Sequence, residues 1–176
     1  MQPKTLIPEP EQRELAELCS SSPKSGVIIE LGVYRGGTAY VLAGVANGRP
    51  LHLFDTFTGM PSQDENDLFP VGRFSDTSVE AVQTAVPSAI IHAGIFPETF
   101  PHDINEISFA HIDCDHYAPT KAAIELFWPR MVPGGIMAFD DSGFQSIRNA
   151  VSNSCLASLQ EFRTARKMLY YIKGLS

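Results

Sequence analysis

The chain predicts an α/β domain, a mostly parallel sheet of seven strands with helices on both faces. Three observations carry that expectation. Apolar, strand-like runs alternate with helical runs from Val27 onward. The strand-like runs are apolar nearly throughout, as strands buried on both faces must be. A glycine-rich turn follows the first run, and acids stand at the ends of the second, fourth and fifth.

The elements follow in order. "VIIELGV" (27–33) is the first strand, the glycines of "RGG" make the turn, and "TAYVLAGVAN" (38–47) is a helix. "PLHLFDTF" (50–57) is the second strand, "SVEAVQTAV" (78–86) a short helix and "AIIHAG" (89–94) the third strand. "ISFAHIDCD" (107–115) is the fourth strand, "PTKAAIELFWPRM" (119–131) a helix and "GGIMAFDD" (134–141) the fifth strand. A helix over "FQSIRNAVSNSC" precedes two late strands around a tight connection in "QEFRTARKMLYYIKG". Residues 1–26 read as a helical lead-in and 27–176 as one domain, which suits a chain of 176 residues. Residues 58–76, "TGMPSQDENDLFPVGRFSD", are aperiodic and rich in Pro, Gly and Asp; a loop of that length in a small domain is expected to be a functional lid.

Composition narrows the class. Hydrophobic residues make up 44% and charged residues 19%, the balance of a globular chain. No apolar run approaches the roughly 20 residues of a membrane helix, and the start lacks a signal-peptide pattern. The net charge of −7 argues against a nucleic-acid partner. Three scattered cysteines, Cys19, Cys114 and Cys155, have no zinc spacing and suggest reduced thiols in a cytoplasmic protein. A homo-oligomer is compatible with this composition but not read from it.

Ligands of an open parallel sheet bind beyond the carboxyl ends of its strands, so those ends are the place to look for chemistry. They carry Glu30, Gly32, Tyr34, Gly36, Gly37 and Thr38, then Asp55, Gly94, Asp113 with Asp115, and Asp140 with Asp141. The glycines imply a close approach to the backbone. Their spacing is neither G-x-G-x-x-G nor a P-loop, which disfavours a pyrophosphate. An acid after strand two commonly accepts from ribose hydroxyls, so Asp55 points to a nucleoside ligand, and S-adenosylmethionine fits. Asp113, Asp140 and Asp141 are expected side by side; three such carboxylates need a cation, and an all-oxygen set suits Mg²⁺. The competing reading is that Asp115 or Asp141 caps the following helix. His116 is a candidate general base. His111 reads as a core histidine, His52 and His92 as structural, and Trp128 as core rather than as a stacking platform.

With "ELGVYRGGTA", "LFDTFTGMP", "GIFPETFP" and "HIDCDHYAPTKAAIELFWPRMVPGGIMAFDD" in view, the chain resembles the macrocin O-methyltransferase family over Val27 to Gly143. The resemblance implies a Rossmann-like class I methyltransferase fold and a Mg²⁺-dependent transfer of a methyl group from S-adenosylmethionine to a sugar hydroxyl. It places Glu30, Gly32, Tyr34 and Gly36 to Thr38 at the methionine end of the cofactor, Asp55 at the ribose, and Gly94, Ile95 and Phe96 around the adenine. It makes Asp113, Asp140 and Asp141 the metal ligands, with Asp113 also bordering the cofactor and either Asp113 or His116 taking the acceptor's proton. The acceptor is expected to be a sugar hydroxyl or other vicinal diol of a small molecule or glycan. Cys114 stands where the family usually has glycine, and "DDSGF" replaces its Asp-Asp-Tyr. The family's members are typically longer at both ends. A haloacid-dehalogenase-like phosphatase also uses an apolar strand ending in D-x-D, but there that strand comes first, and here it comes fourth. A nicotinamide dehydrogenase lacks its pyrophosphate fingerprint here, and a non-catalytic relative of the fold is the remaining alternative.

Overall fold

A computed structural model of the chain describes residues 3, 5–65, 67–166 and 168–174. Residues 1, 2, 4, 66, 167, 175 and 176, which fall in the expected lead-in, the long loop, the late-strand connection and the end of the domain, lie outside the described residues.

Seven strands form one sheet in the order β3-β2-β1-β4-β5-β7-β6. They are β1 (Val27–Leu31), β2 (Leu51–Asp55), β3 (Ile90–Ala93), β4 (Ile107–Ile112), β5 (Met131–Phe139), β6 (Phe162–Arg163) and β7 (Leu169–Ile172). β1 to β5 are parallel, while β7 runs antiparallel to both β5 and β6. The chain order reverses between β1 and β4, which opens a crevice beyond their carboxyl ends.

Strand alternation feeds two cores. On one face Ile29, Leu31, Phe54, Ile112 and Phe139 pack under α4 (Tyr117–Phe127) and α5 (Gln145–Ser152). On the other, Ile28, Leu53, Phe109 and Ala138 pack under α1 (Glu9–Ser21), α2 (Gly37–Gly44) and α3 (Val79–Ala85). The lead-in therefore has a partner that the sequence did not reveal, with Leu15 and Cys19 of α1 fully buried in the second core. None of the described helices is long and apolar enough to cross a membrane.

Some boundaries differ from expectation. The helix expected to run to Met131 ends at Phe127, because Pro129 has no N–H to continue the ladder; a 3₁₀ turn, Trp128–Arg130, follows. Met131 already pairs with Ile107, so β5 begins three residues before the expected Gly134. The helix expected through Cys155 ends at Ser152, and Ser154 restarts the chain as a 3₁₀ turn by accepting from the Leu156 N–H.

Arg49, unremarked in the sequence, ties three segments together. It is 6% exposed, and its guanidinium donates to the Cys19, Pro23 and Ala46 carbonyls and to the hydroxyls of Ser22 and Ser108 at 2.7–3.2 Å. Arg49→Ala strands these buried acceptors, and we expect a loss of about 3 kcal/mol in urea unfolding.

Candidate active site

A cavity of about 570 Å³ opens beyond the carboxyl ends of β1, β2, β4 and β5. It exists because the ends of β1 and β4 meet without a side chain between them. Gly32 sits at φ +88°, where a Cβ would stand 1.9 Å from the Asp113 carbonyl oxygen. The ladder continues past both strands, with the Asp113 N–H donating to Leu31 (2.8 Å) and the Asp140 N–H to Ile112 (3.1 Å). These bonds set the Asp113 and Asp140 side chains next to each other.

Most of the expected residues line this cavity: Gly32, Tyr34, Gly37, Thr38, Asp55, Gly94, Ile95, Phe96, Asp113, His116, Asp140 and Asp141. Glu30 and Gly36 do not. Glu30 lies inside β1, fully buried, and its Oε1 meets His111 Nδ1 of β4 at 3.0 Å, beneath the cavity. Gly36, at φ +79°, caps α2 and makes room for Val82 of α3, 3.3 Å from where a Cβ would lie. Gly37 likewise has no room for a Cβ, because Thr5 of the N-terminal segment would be 2.2 Å away. The partner that approaches these turn glycines is the protein itself.

Asp55 organises the same turn. Its Oδ2 accepts from the Val33 and Tyr34 N–H groups (2.7 and 2.8 Å) and its Oδ1 from the Phe57 N–H (2.8 Å). A carboxylate offers about four acceptor sites, so Oδ1 retains capacity for a donor in the cavity.

Asp113, Asp140 and Asp141 each present a carboxylate oxygen, and these oxygens lie within 4.8 Å of one another. Burial and then the neighbouring Asp140 and Asp115 push the Asp113 carboxyl well above its ordinary range. Asp140 is raised to about 6, chiefly by burial, with His111 pulling the other way. Asp115 is raised to about 9 by burial and by a hydrogen bond with Asp141. Neither Asp115 nor Asp141 caps a helix; His116 precedes α4 and Phe144 precedes α5, neither with a side-chain cap. Three half-buried carboxylate oxygens converging within one small volume make a donor set that fits a hard divalent cation such as Mg²⁺.

His116 is 3% exposed, with Nδ1 3.4 Å from Asp67 Oδ2 and Nε2 buried without a hydrogen-bond partner among the described residues. The 58–76 loop covers this side of the cavity. It is pinched at its neck by backbone bonds between Met60 and Arg73 and between Gly72 and Met60, both 2.9 Å. Edge-on rings run from Tyr34 through Phe74 and Phe69 to Phe144. Thr5 to Pro8 and Glu11 also line the cavity, although no motif or spacing marks them as part of it. The remaining candidates are structural. His52 and His92 stack, with Nδ1 and Nε2 2.9 Å apart. Trp128 packs in the core against Tyr171. Burial pushes the Cys114 thiol up, and it sits 3.3 Å from Thr120 Oγ1.

The sequence model of the family described as Macrocin-O-methyltransferase (TylF) matches residues 12–173. A curated relative from Streptomyces olivaceus, 8-demethyl-8-(2,3-dimethoxy-alpha-L-rhamnosyl)-tetracenomycin-C 4'-O-methyltransferase, is 29% identical over 148 residues, which cover 72% of this chain and 56% of the relative. The chain thus spans little more than half of that enzyme's length. Among solved structures, the O-methyltransferase NovP superposes with a TM-score of 0.84 at 19% identity, covering 97% of this chain and 82% of its own. The calicheamicin methyltransferase CalS11 follows at 0.78 and 23%, covering 94% and 78%. Both carry the class I methyltransferase fold, which is the fold of this chain.

Two outcomes are expected. Gly32→Ala forces the Asp113 carbonyl away, and thermal or urea unfolding should show a loss of about 3 kcal/mol or more. A raised carboxyl pKa means the folded protein holds protons that the unfolded chain has lost, so its contribution to stability falls as pH rises from the ordinary aspartate value through the folded one. Without divalent ions, Asp140→Asn should therefore gain on the wild type as pH rises from about 4 to about 6, by something on the order of 2 kcal/mol, in parallel urea titrations.

Proposed function

The chain belongs to the macrocin-O-methyltransferase family, and on that premise we propose that it is an S-adenosylmethionine-dependent, Mg²⁺-assisted O-methyltransferase. Its acceptor is a sugar hydroxyl or other vicinal diol of a small molecule or glycan; the tetracenomycin relative is named for a sugar hydroxyl, the 4' oxygen of a dimethoxyrhamnosyl group. The observation that carries the reading is the placement of the acid trio. Asp113, Asp140 and Asp141 gather at the wall of the same cavity that the Gly32 to Thr38 turn, Asp55 and Gly94 to Phe96 line.

Methyl transfer to an alcohol needs the donor and the hydroxyl held in line and the hydroxyl's proton removed. The turn and Asp55 would hold the adenosyl donor, with the free acceptor site on Asp55 Oδ1 meeting a ribose hydroxyl. Gly94, Ile95 and Phe96 would flank its base. Asp113, Asp140 and Asp141 would hold the divalent ion, which supplies Lewis acidity that eases ionisation of a diol. The looped wall from Met60 to Phe74 would keep water out while the proton passes to Asp113 or to His116 Nε2.

Calorimetric titration with S-adenosylhomocysteine tests the reading. Binding in the micromolar range is expected, with Mg²⁺ binding separately to the wild type and lost in Asp140→Asn, which keeps the adenosyl ligand. Asp55→Ala is expected to weaken S-adenosylhomocysteine at least tenfold and to lower stability by about 1–3 kcal/mol, because three N–H groups lose their acceptor. Wild-type protein that binds neither ligand overturns the proposal.

A further inference from the structure

Along residues 61–71 of the looped wall, Asp67 is buried while every other described residue is exposed or half-exposed. An acid pointing inward from an exposed loop needs partners, and Asp67 has three. Its Oδ1 accepts from the Tyr117 N–H at the start of α4 (2.9 Å), its Oδ2 accepts from the Asp64 N–H (2.9 Å), and that same Oδ2 lies 3.4 Å from His116 Nδ1. The two side chains are 2% and 3% exposed. The His116 backbone is fixed independently of the loop, since Thr120 donates to its carbonyl from both N–H and Oγ1 (3.3 and 2.7 Å). What the loop adds is the carboxylate facing one ring nitrogen.

A neutral imidazole carries one proton, and a carboxylate beside Nδ1 keeps it there, leaving Nε2 as the lone-pair acceptor. Nε2 is the atom left buried without a hydrogen-bond partner among the described residues, on a residue that lines the cavity. We propose that Asp67 is a positioning residue that holds His116 in the Nδ1–H form only while the loop is docked, so that loop closure and readiness of Nε2 to take the acceptor's proton are one event. The chemistry assigned to Nε2 rests on the methyl-transfer reading above. In that step the acceptor O–H breaks as its oxygen bonds the donor methyl, the sulfonium–methyl bond breaks onto sulfur, and the proton sits on Nε2 until solvent removes it.

The tautomer can be read without an acceptor molecule. Long-range ¹H–¹⁵N spectra of ring-labelled histidines, recorded well above the ordinary histidine pKa of about 6.5, distinguish Nδ1–H from Nε2–H, and loss of one signal in His116→Gln assigns it. The wild type is expected to be Nδ1–H. In Asp67→Asn the amide oxygen can still accept from Tyr117 while its NH₂ group faces Nδ1 and gives up the bond from the Asp64 N–H, so the proton moves to Nε2 while the Tyr117 bond keeps the loop docked. In Asp67→Ala both hold-points go, and amide exchange of residues 61–71 should rise about tenfold or more with the tautomer mixed. A contact that only braces the loop would leave the tautomer the same in all three proteins. That result, or Nε2–H in the wild type, overturns the proposal even if S-adenosylhomocysteine binds normally. Failure of the wild type to bind S-adenosylhomocysteine, with the tautomers as expected, instead overturns the methyl-transfer reading and removes the catalytic meaning of the pair.

Discussion

The seam between β1 and β4 is the constraint on which the site depends. The two strands pair in register from Ile28 with Phe109 to Leu31 with Ile112, and the bond from Asp113 to Leu31 carries the pairing one residue further. That last step requires a residue without a side chain at position 32, since any Cβ would occupy the Asp113 carbonyl. The order of the sheet reverses at this seam, so the crevice and the acid at its floor have a common origin. Asp140 then takes its place through the next rung, from its own N–H to Ile112.

Beneath the acids lies a second polar layer. Glu30 and His111 face each other across the seam with no exposed surface, and Glu30 Oε2 and His111 Nε2 have no hydrogen-bond partner among the described residues. The carboxylate of Glu30 adds to the pressure on Asp113, whereas His111 relieves Asp140. Neighbouring acids of like chemistry are thus set apart by the layer below them. The arrangement favours uptake of positive charge at the rim, where Asp113, Asp140 and Asp141 converge.

The fold was legible in the sequence because strands covered on both faces must be apolar throughout, and such runs as "ISFAHI" admit few other readings. The acid trio was legible for a related reason, since carboxylates directly after a buried strand must face the strand ends. What was not legible was which groups within the chain pair with one another. Glu30 looked like a ligand contact because nothing local shows that His111, distant in the chain, sits opposite it. The turn glycines signalled a close approach, but not that Val82 and Thr5 make it. Asp67 lies in an aperiodic loop, where no spacing distinguishes an inward acid from its solvated neighbours. Arg49 looked like any surface cation, because its acceptors are carbonyls and hydroxyls that carry no signal in the sequence.

The pinched neck of the 58–76 loop has a consequence for how such a site can diversify. Because Met60 and Gly72–Arg73 are tied to each other, the span between them hangs from a closed ring of backbone and, through Asp67, from the start of α4, and not from the sheet. Lengthening or rewriting that span on either side of Asp67 alters the far wall of the crevice without disturbing the register of β2 or the turn that Asp55 anchors. Selection can therefore retune the preference for one acceptor over another on this appendage, while the half of the site built into the strands is inherited unchanged.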